Sequence, residues 1–447
     1  MQYFITGASG FIGRRLVGKL LEREGSKVFF LMRETDTDTL ASLYEFWGCD
    51  AQRAVPVVGD LTRPLLGVSA VARRKLAKKT THFFHLAAIY DLQADAASQI
   101  RVNVDGTRNA VQLAEAVAAR HFHLFSSIAA AGLYDGLFRE DMFAEAEGLD
   151  HPYFRTKHDS EGIVRRECSI PWRIFRPALV VGDSRSGEMD KIDGPYYFFK
   201  PIQRLRKLLP SWVPMVGIEG GRINVVPVDF VVNAVDHIAH RQGEDGKCFQ
   251  LVDPSPLRVG ELLNTFARAA HAPQMSLRIN AALLGFIPAY LRKGLLTLAP
   301  VRRIRSALLK DLGLPDDILR FVNYPTRFDC RETTRALKGS GIAVPPLDTY
   351  AWRLWDYWER HLDPDLFIDS TLRGQVVGKV VLITGASSGI GKATAFKLAE
   401  AGAHVVTIAH DQEQLAEAVR EAAAVGAART LRVSVEPAFA SRWLVGR

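Results

Sequence analysis

The sequence predicts an α/β fold: a doubly wound parallel sheet with a mainly helical cap, followed by a second, incomplete module of the same kind. Three observations carry this expectation. A glycine-spaced loop, Thr6-Gly-Ala-Ser-Gly-Phe-Ile-Gly13, directly follows the first apolar run. Short apolar runs then recur, separated by stretches of helical periodicity, as in βα units that close into a parallel sheet. A second glycine-spaced loop, Thr384-Gly-Ala-Ser-Ser-Gly-Ile-Gly391, repeats the arrangement near the C-terminus.

Gln2–Thr6 reads as a strand, and the chain after it as a helix with Leu16, Val17, Leu20 and Leu21 on one face. Gly7, Gly10 and Gly13 are placed where a tight turn, close approach of backbone to a pyrophosphate and close helix–strand packing each forbid a Cβ. The helix start, with Phe11 and Ile12, offers unpaired N–H groups and a positive dipole end to phosphate. A dinucleotide held in the Rossmann manner is the expected ligand. Val28–Met32 is the next strand and ends at Arg33. An acidic residue there accepts hydrogen bonds from the adenosine ribose, whereas an arginine suits a 2′-phosphate through its planar charged fork. The sequence therefore favours NADPH over NADH, with Glu34 as the contrary neighbour.

Each later strand ends in a suggestive residue. Ala54–Val58 runs into Gly59-Asp60-Leu61, which places Asp60 and Leu61 near the adenine. His82–Leu86 runs into Ala87-Ala88, small enough to lie under a ribose. His121–Phe125 ends in Ser126-Ser127, and Trp172–Phe175 in Arg176-Pro177. Ligands of open parallel sheets bind at the carboxyl ends of strands, so these endings are expected to share one site.

Tyr153-Phe-Arg-Thr-Lys157 supplies the chemistry. Reducing a carbonyl takes a hydride on carbon and a proton on oxygen. A phenol of ordinary pKa, about 10, is a poor acid unless its anion is stabilised. A lysine one helical turn on lies on the same face and brings that positive charge. A serine at a neighbouring strand end can donate to the oxygen where charge develops. Tyr153 is thus the expected proton donor and Lys157 its electrostatic partner and ribose ligand. Ser127 is the expected hydrogen-bonder, with Ser126 as the fallback because adjacent residues on a strand point opposite ways.

These motifs resemble the extended short-chain dehydrogenase/reductases over residues 1–370. The resemblance rests on the first glycine loop, Asp60-Leu61, His85-Leu-Ala-Ala88, Asn103-Val-Asp-Gly-Thr107, Ser127, Tyr153 with Lys157, and Arg176-Pro177. Within that family several stretches resemble bacterial two-domain fatty acyl-CoA reductases: Ser126-Ser-Ile-Ala-Ala-Ala-Gly132, Phe138-Arg-Glu-Asp-Met142, His151-Pro-Tyr153, Gly187-Glu-Met-Asp190, Gly194-Pro-Tyr-Tyr-Phe-Phe199 and Tyr324-Pro-Thr-Arg327. The resemblance implies NADPH-dependent reduction of long-chain acyl thioesters or aldehydes toward alcohols, with Pro177 among the cofactor contacts. Sugar-nucleotide epimerases and sterol dehydrogenases share the first set of motifs and are the rival enzymes. A nucleotide-binding fragment without activity is the rival from another class.

Composition bears on the substrate. The chain has 57 Lys+Arg and 49 Asp+Glu, a formal net charge of +8. Residues 262–310 hold eight of the basic residues and no acid, and they are rich in leucine. Basic and apolar character without acids suits an anionic membrane surface or an acylated anion such as acyl-CoA, and equally a helical cap with a basic rim. It argues against a sugar nucleotide. The cap is expected mainly within 185–225 and 255–330. The aromatic stretch from Pro195 to Phe199, continuing to Leu208, Trp212 and Met215, is either core or the wall of an acyl tunnel. Trp352, Trp355 and Trp358 form a stripe that reads as helix packing.

Cys49, Cys168, Cys248 and Cys330 are scattered, which suits a reducing compartment rather than a disulfide framework. No metal site is expected, since His237 and His240 lack a third ligand. No nucleic acid is expected either, because aromatics are not interleaved with the basic residues. The first residues already read as a strand, so no leader is expected and the location is cytoplasmic, with possible peripheral contact at the inner membrane surface. A homo-oligomer is compatible with the sequence.

Residues 371–447 read as a truncated second dinucleotide-binding module. A strand at 378–383, the glycine loop, a helix to Ala401, a strand His404–Ile408 and a helix to about Ala424 are expected. No second Ser/Tyr/Lys set follows Gly391, and residues 431–447 do not continue the expected strand. Truncation, by a frameshift near Arg429, is the expected cause, with a short appendage of this length by nature as the alternative. The resemblance to two-domain reductases implies that aldehyde reduction survives it, with the thioester step weakened or lost.

Overall fold

Seven strands form one all-parallel sheet. They are β1 (Gln2–Thr6), β2 (Lys27–Met32), β3 (Ala54–Val58), β4 (His82–His85), β5 (His121–Phe125), β6 (Trp172–Pro177) and β7 (Lys247–Leu251). Their order across the sheet is β7-β6-β5-β4-β1-β2-β3. The chain winds outward from β1 to β3, then returns to β4 on the other side of β1. The switch in direction therefore falls between β1 and β4, where open parallel sheets bind their ligands. The computed structural model describes residues 1–33, 37–89, 95–280, 324–367, 369, 371–409, 413, 414, 416, 417, 420 and 431–434.

Both faces of this sheet are covered, as its near-continuous apolar strands require. On one face Phe4, Phe83, Phe122 and Ile174 pack with Leu113 and Ile163 of helices α4 (Gly106–Ala116) and α5 (Pro152–Glu167). The rings of Phe4 and Phe83 lie 4.7 Å apart, and those of Phe83 and Phe122 5.5 Å apart. On the other face Tyr3, Ile5, Phe30, Phe84, Phe175 and Phe249 meet α1 (Phe11–Leu21) and α6 (Val228–Ala239). Helices α2 (Thr37–Trp47) and α3 (Ala70–Leu76) complete the outer windings. Each fully buried Phe contributes about 1.5–3 kcal/mol, which is why the strands are this aromatic.

A smaller core beside the sheet is built from the cap. Tyr196, Phe199 and Ile202 pack with Leu262, Phe266, Tyr350, Leu354, Trp355 and Trp358. This settles the aromatic stretch in favour of core for Tyr196 and Phe199. The Tyr196 hydroxyl accepts the Gly182 N–H at 2.6 Å, and the Phe199 ring is 5.0 Å from Trp355. Leu208 and Trp212 are instead strongly exposed. The tryptophan stripe divides in the same way. Trp355 and Trp358 are buried in the helix Leu347–His361, while Trp352 is 51% exposed. Of the cap expected within 255–330, the helix Val259–Ala269 and the strand Met275–Asn280 are described, and residues 281–323 lie outside the described set. So does most of the basic, acid-free segment.

Residues Asp363–Arg447 form a separate contact unit from Met1–Leu362. Its strands β8 (Val380–Thr384), β9 (His404–Ala409) and β10 (Leu431–Ser434) make a parallel sheet in the order β8-β9-β10. The third strand corrects the sequence reading, which found none after 430. Val406 pairs with Leu431 and Ile408 with Val433. Leu431-Arg-Val-Ser is a short alternating run, enough for an edge strand beside an apolar neighbour.

Candidate active site

The glycine loop is closed by its own backbone. Gly7 has φ +76° and a Cβ on it would lie 2.8 Å from the Ala87 nitrogen, so the turn after β1 runs flush against the end of β4. A Cβ on Gly13 would stand 2.0 Å from the Gly7 carbonyl oxygen. Gly10 N–H donates to the Gly7 carbonyl at 3.1 Å, and no side chain caps α1 at Gly10. The first N–H groups of α1 are therefore left for a ligand, as an anion cradle requires. Phe11 and Ile12 open the helix. The Phe11 ring is covered by the Arg15 guanidinium at 4.2 Å. This cradle fits a pyrophosphate, the group that a dinucleotide presents.

A relay of hydrogen bonds fixes Ala87 beside that loop. Ala87 N–H donates to Thr6 Oγ1 at 3.2 Å, and Thr6 Oγ1 is 2.8 Å from His85 Nδ1. On the other side His85 Nε2 is 3.1 Å from Thr107 Oγ1, which donates to the Asn103 carbonyl at 2.6 Å. Thr107 spends its proton on Asn103, so His85 Nε2 is the donor and Nδ1 the acceptor. Burial drives the His85 pKa down to about 3, with the nearby Lys157 charge adding to the effect, so the ring stays neutral. Asn103 belongs to a π-helical turn, Ile100–Asp105, and bonds both the N–H and the carbonyl of Ile89. Such turns recur at functional sites.

Arg33 follows β2 and is exposed. Asp60 follows β3, and its Oδ1 accepts the Thr62 N–H and hydroxyl, both at 2.8 Å. Those bonds hold the Asp60 carboxyl below the usual carboxylate range, and Arg33 and Arg63 add to the effect. The Leu61 carbonyl accepts from Asn109 Nδ2 at 2.8 Å, tying the loop to α4. Pro177 ends β6, next to the buried Arg176.

Tyr153 and Lys157 sit in the first two turns of α5, whose N-cap is His151. His151 Nδ1 accepts the Tyr153 N–H at 3.2 Å, and Pro152 occupies the first turn, where its missing N–H costs nothing. Tyr153 thus lies at the positive end of the helix dipole, which favours a developing phenolate. Lys157 is almost wholly buried and is held between two anchored neighbours. Thr156 Oγ1 accepts from Asn103 Nδ2 at 3.2 Å, and His158 Nδ1 donates to the Ala130 carbonyl at 3.2 Å. Burial lowers the Lys157 pKa to about 8, and Glu161 one turn on opposes that fall.

The two serines separate cleanly. Ser127 caps the 3-10 turn Ile128–Ala131 by accepting the Ala129 N–H at 3.2 Å, which leaves its own proton to donate. Ser126 is buried and donates to Glu161 Oε1 at 2.6 Å. The fallback assignment of Ser126 therefore fails: its proton is already used behind the site. Tyr324, which the sequence gave no role in the chemistry, stands in the site wall. Its ring is 6.3 Å from Phe154, its hydroxyl donates to the Gly132 carbonyl, and the Tyr153 side chain acts on it electrostatically. Glu161 was also unforeseen. Its one sequence signal is its place four residues after Lys157.

Among the described residues no cluster of His, Cys, Asp and Glu is arranged to hold a metal ion. His240 instead donates from Nδ1 to the Asp236 carbonyl at 2.7 Å and meets the Tyr3 hydroxyl at 2.9 Å. No described helix is long and apolar enough to cross a membrane.

Comparison with known proteins gives the family. A model of the short chain dehydrogenases matches residues 379–440. A linear gramicidin synthase of Brevibacillus parabrevis is 29% identical over 274 residues, covering 58% of this chain and 5% of that protein. A putative fatty acyl-CoA reductase of Drosophila melanogaster is 24% identical over 284 residues, 52% of this chain and 50% of the relative. The chain thus spans half or less of these relatives. The terminal R domain of the myxalamid PKS-NRPS pathway superposes with a TM-score of 0.63 at 24% identity, over 80% of this chain and 90% of that one. The family model described as male sterility protein, an NAD-binding domain, matches residues 5–235, more than half the chain, and the chain belongs to that family of extended short-chain dehydrogenase/reductases.

Proposed function

We propose that this chain is an NADPH-dependent reductase of long-chain aldehydes and fatty acyl thioesters, working toward the alcohol. The observation that carries the reading is the pairing on α5 of Tyr153, at the positive helix end, with Lys157, buried one turn on. The nicotinamide coenzyme, when bound at the glycine cradle, supplies hydride to the carbonyl carbon. Tyr153 Oη gives its proton to the carbonyl oxygen, and Lys157 stabilises the phenolate left behind. Ser127 donates a hydrogen bond to the same oxygen as charge builds on it. Gly7, Gly10, Phe11, Ile12 and Gly13 bind the pyrophosphate. Asp60 and Leu61 bound the adenine, Ala87 lies under a ribose, and Lys157 and Pro177 border the nicotinamide end. Arg33, exposed at the end of β2, supports NADPH as the coenzyme, because its planar charged fork suits a 2′-phosphate.

The apolar cap and the acid-free segment 262–310 support a fatty, anionic substrate such as acyl-CoA, and a cytoplasmic enzyme that touches the inner membrane surface. We assign catalysis to the extended domain, 1–370, and a nucleotide-binding role to the module at 371–447. There a Cβ on Gly391 would lie 2.2 Å from the Gly385 carbonyl oxygen, the same closure seen at Gly13. The test is product analysis by mass spectrometry with decanal, palmitoyl-CoA and UDP-glucose, each with NADPH and with NADH. Decanol from decanal with NADPH is the expected result. Turnover of UDP-glucose, or none of decanal and palmitoyl-CoA, would overturn the reading.

A further inference from the structure

Three buried groups with no part in that chemistry meet behind the site. Glu161 is fully buried and receives Arg176 Nε at 2.9 Å, Arg176 Nη2 at 2.6 Å and Ser126 Oγ at 2.6 Å. Arg176 Nη2 also donates to the Met142 carbonyl at 3.0 Å, and its guanidinium lies 5.2 Å from the Phe138 ring centre. Each member adjoins a residue of the proposed site. Ser126 precedes Ser127 at the end of β5. Glu161 lies one turn beyond Lys157 on α5. Arg176 precedes Pro177 at the end of β6. A buried ion pair is a poor way to stabilise a fold, because desolvation takes back most of the attraction and apolar side chains of similar volume would hold the strands as well. A role in the site accounts for it better.

We propose that Ser126, Glu161 and Arg176 form the positioning network of the site, in which Glu161 is the counter-charge for the Lys157 ammonium and the three anchored elements fix Ser127, Lys157 and Pro177 relative to one another. The inference rests on the reductase reading for its effect on rate, but not for its effect on Lys157. Charged and titratable groups face Lys157 from two elements. His85, on β4, is neutral. Tyr153 and Glu161 share α5 with it. Arg176 from β6, 2.6 Å from Glu161 Oε2, and Arg165, 3.9 Å from the same oxygen, both pair with Glu161. Glu161 lies four residues after Lys157 on the same face of α5, both side chains buried, and its charge opposes the fall that burial imposes on the Lys157 pKa, so removing the carboxylate removes that opposition. Lys157 then loses its proton at a lower pH, and the Tyr153 phenol loses the cation that supports its anion.

The test uses the full chain. The first readout is the titration of Lys157 itself, by NMR of 13Cε-labelled lysine with the resonance assigned from Lys157→Met, in the absence of coenzyme and substrate. The second is the alkaline limb of kcat/KM for decanal with NADPH. Glu161→Gln should move both midpoints down by about one pH unit or more. Glu161→Gln with Arg176→Gln leaves no buried guanidinium without its carboxylate, so it guards against misfolding, and it should show the same displacement. Glu161→Asp keeps the charge and should leave both midpoints at the wild-type position. Unmoved midpoints in a folded Glu161→Gln or double variant would overturn the proposal, as would an equal displacement in Glu161→Asp. A shifted Lys157 resonance in a chain that reduces no carbonyl would uphold the counter-charge and sink the reductase reading instead.

Discussion

Adding one methyl group at Gly13 should separate nucleotide binding from folding. The Cβ of a Gly13→Ala variant would stand 2.0 Å from the Gly7 carbonyl oxygen and 2.8 Å from the Gly7 carbonyl carbon. Tolerable contacts begin at 3.0–3.4 Å, so backbone must yield by 1.0–1.4 Å. Gly7 cannot retreat toward β4, because the Ala87 nitrogen is already 2.8 Å from where its own Cβ would be. The loop must open instead, and a displacement above 1 Å carries an N–H···phosphate bond of about 2.9 Å well past its useful range. Two such charge-assisted bonds, at about 1.5 kcal/mol each, make about 3 kcal/mol, or roughly 150-fold in Kd. Fluorescence titration of NADPH measures this directly. The control is Gly18→Ala, in the middle of the same helix, where an added Cβ meets nothing closer than Trp47 Cδ1 at 3.8 Å. It should bind NADPH as the wild type does and gain about 0.5–1 kcal/mol of stability. A folded Gly13→Ala that binds NADPH within threefold of the wild type would refute the cradle.

Three further outcomes are expected. Tyr153→Phe keeps the ring and loses the acid, so kcat for decanal should fall by about 10²–10⁴ with NADPH affinity nearly intact; retention of half the rate would remove Tyr153 from the mechanism. Arg33→Glu should lower the ratio of kcat/KM for NADPH over NADH, since it puts a like charge where the 2′-phosphate is expected; an unchanged ratio would show that Arg33 does not read that phosphate. Burial holds the pKa of His82 at about 2 and of His85 at about 3, both below the ordinary histidine value of 6.5. The folded chain therefore binds fewer protons than the unfolded one below pH 6.5, and stability is lost as pH falls through that value. At pH 5 each ring costs about 2 kcal/mol, so the pair costs about 4 kcal/mol at 1.36 kcal/mol per unit. Thermal denaturation at pH 7.5, 6 and 5 reads this, and a Tm that stays level down to pH 5 would contradict it.

Much of the site was legible because its residues are dictated locally. Glycines at 7, 10 and 13 report close approach of backbone, and Tyr153 with Lys157 report one turn of helix. What stayed hidden depends on partners distant in sequence. Glu161 reads as an ordinary helix acid until Arg176 and Ser126, 15 and 35 residues away, are seen to bury it. The seventh strand, Lys-Cys-Phe-Gln-Leu, carries two polar residues and no alternation that faces water. Inside the fold Gln250 is held by two bonds, its N–H donating to Glu140 Oε1 at 2.9 Å and its side-chain Nε2 to the Phe138 carbonyl at 3.2 Å, while its Oε1 is buried without a partner among the described residues. The tryptophans at three-residue spacing drift around the helix by more than a quarter turn across the stripe, so one of the three emerges into solvent.

The two ends of the main sheet answer the same physical problem in opposite ways. At the amino ends of β4 and β5, His82 Nδ1 lies 2.9 Å from His123 Nε2, and the rings of His82 and His121 stack 5.1 Å apart. Nothing there needs a charge, and burial removes it from both His82 and His123. At the carboxyl ends burial presses on Lys157 in the same sense, but the proposed reaction needs the cation. The remedy available to the chain is local and charged: a carboxylate four residues on along the same helix. A carboxylate in that position is itself costly unless paired, so Arg176 follows from Glu161, and the Met142 carbonyl and Phe138 ring follow from Arg176. On this account the buried charges behind the site are a consequence of the lysine. Changing Lys157 to Met should then make the pair removable. Replacing Glu161 and Arg176 by apolar residues would cost less stability in that background than in the wild type, and an equal cost in both would show that the pair belongs to the fold alone.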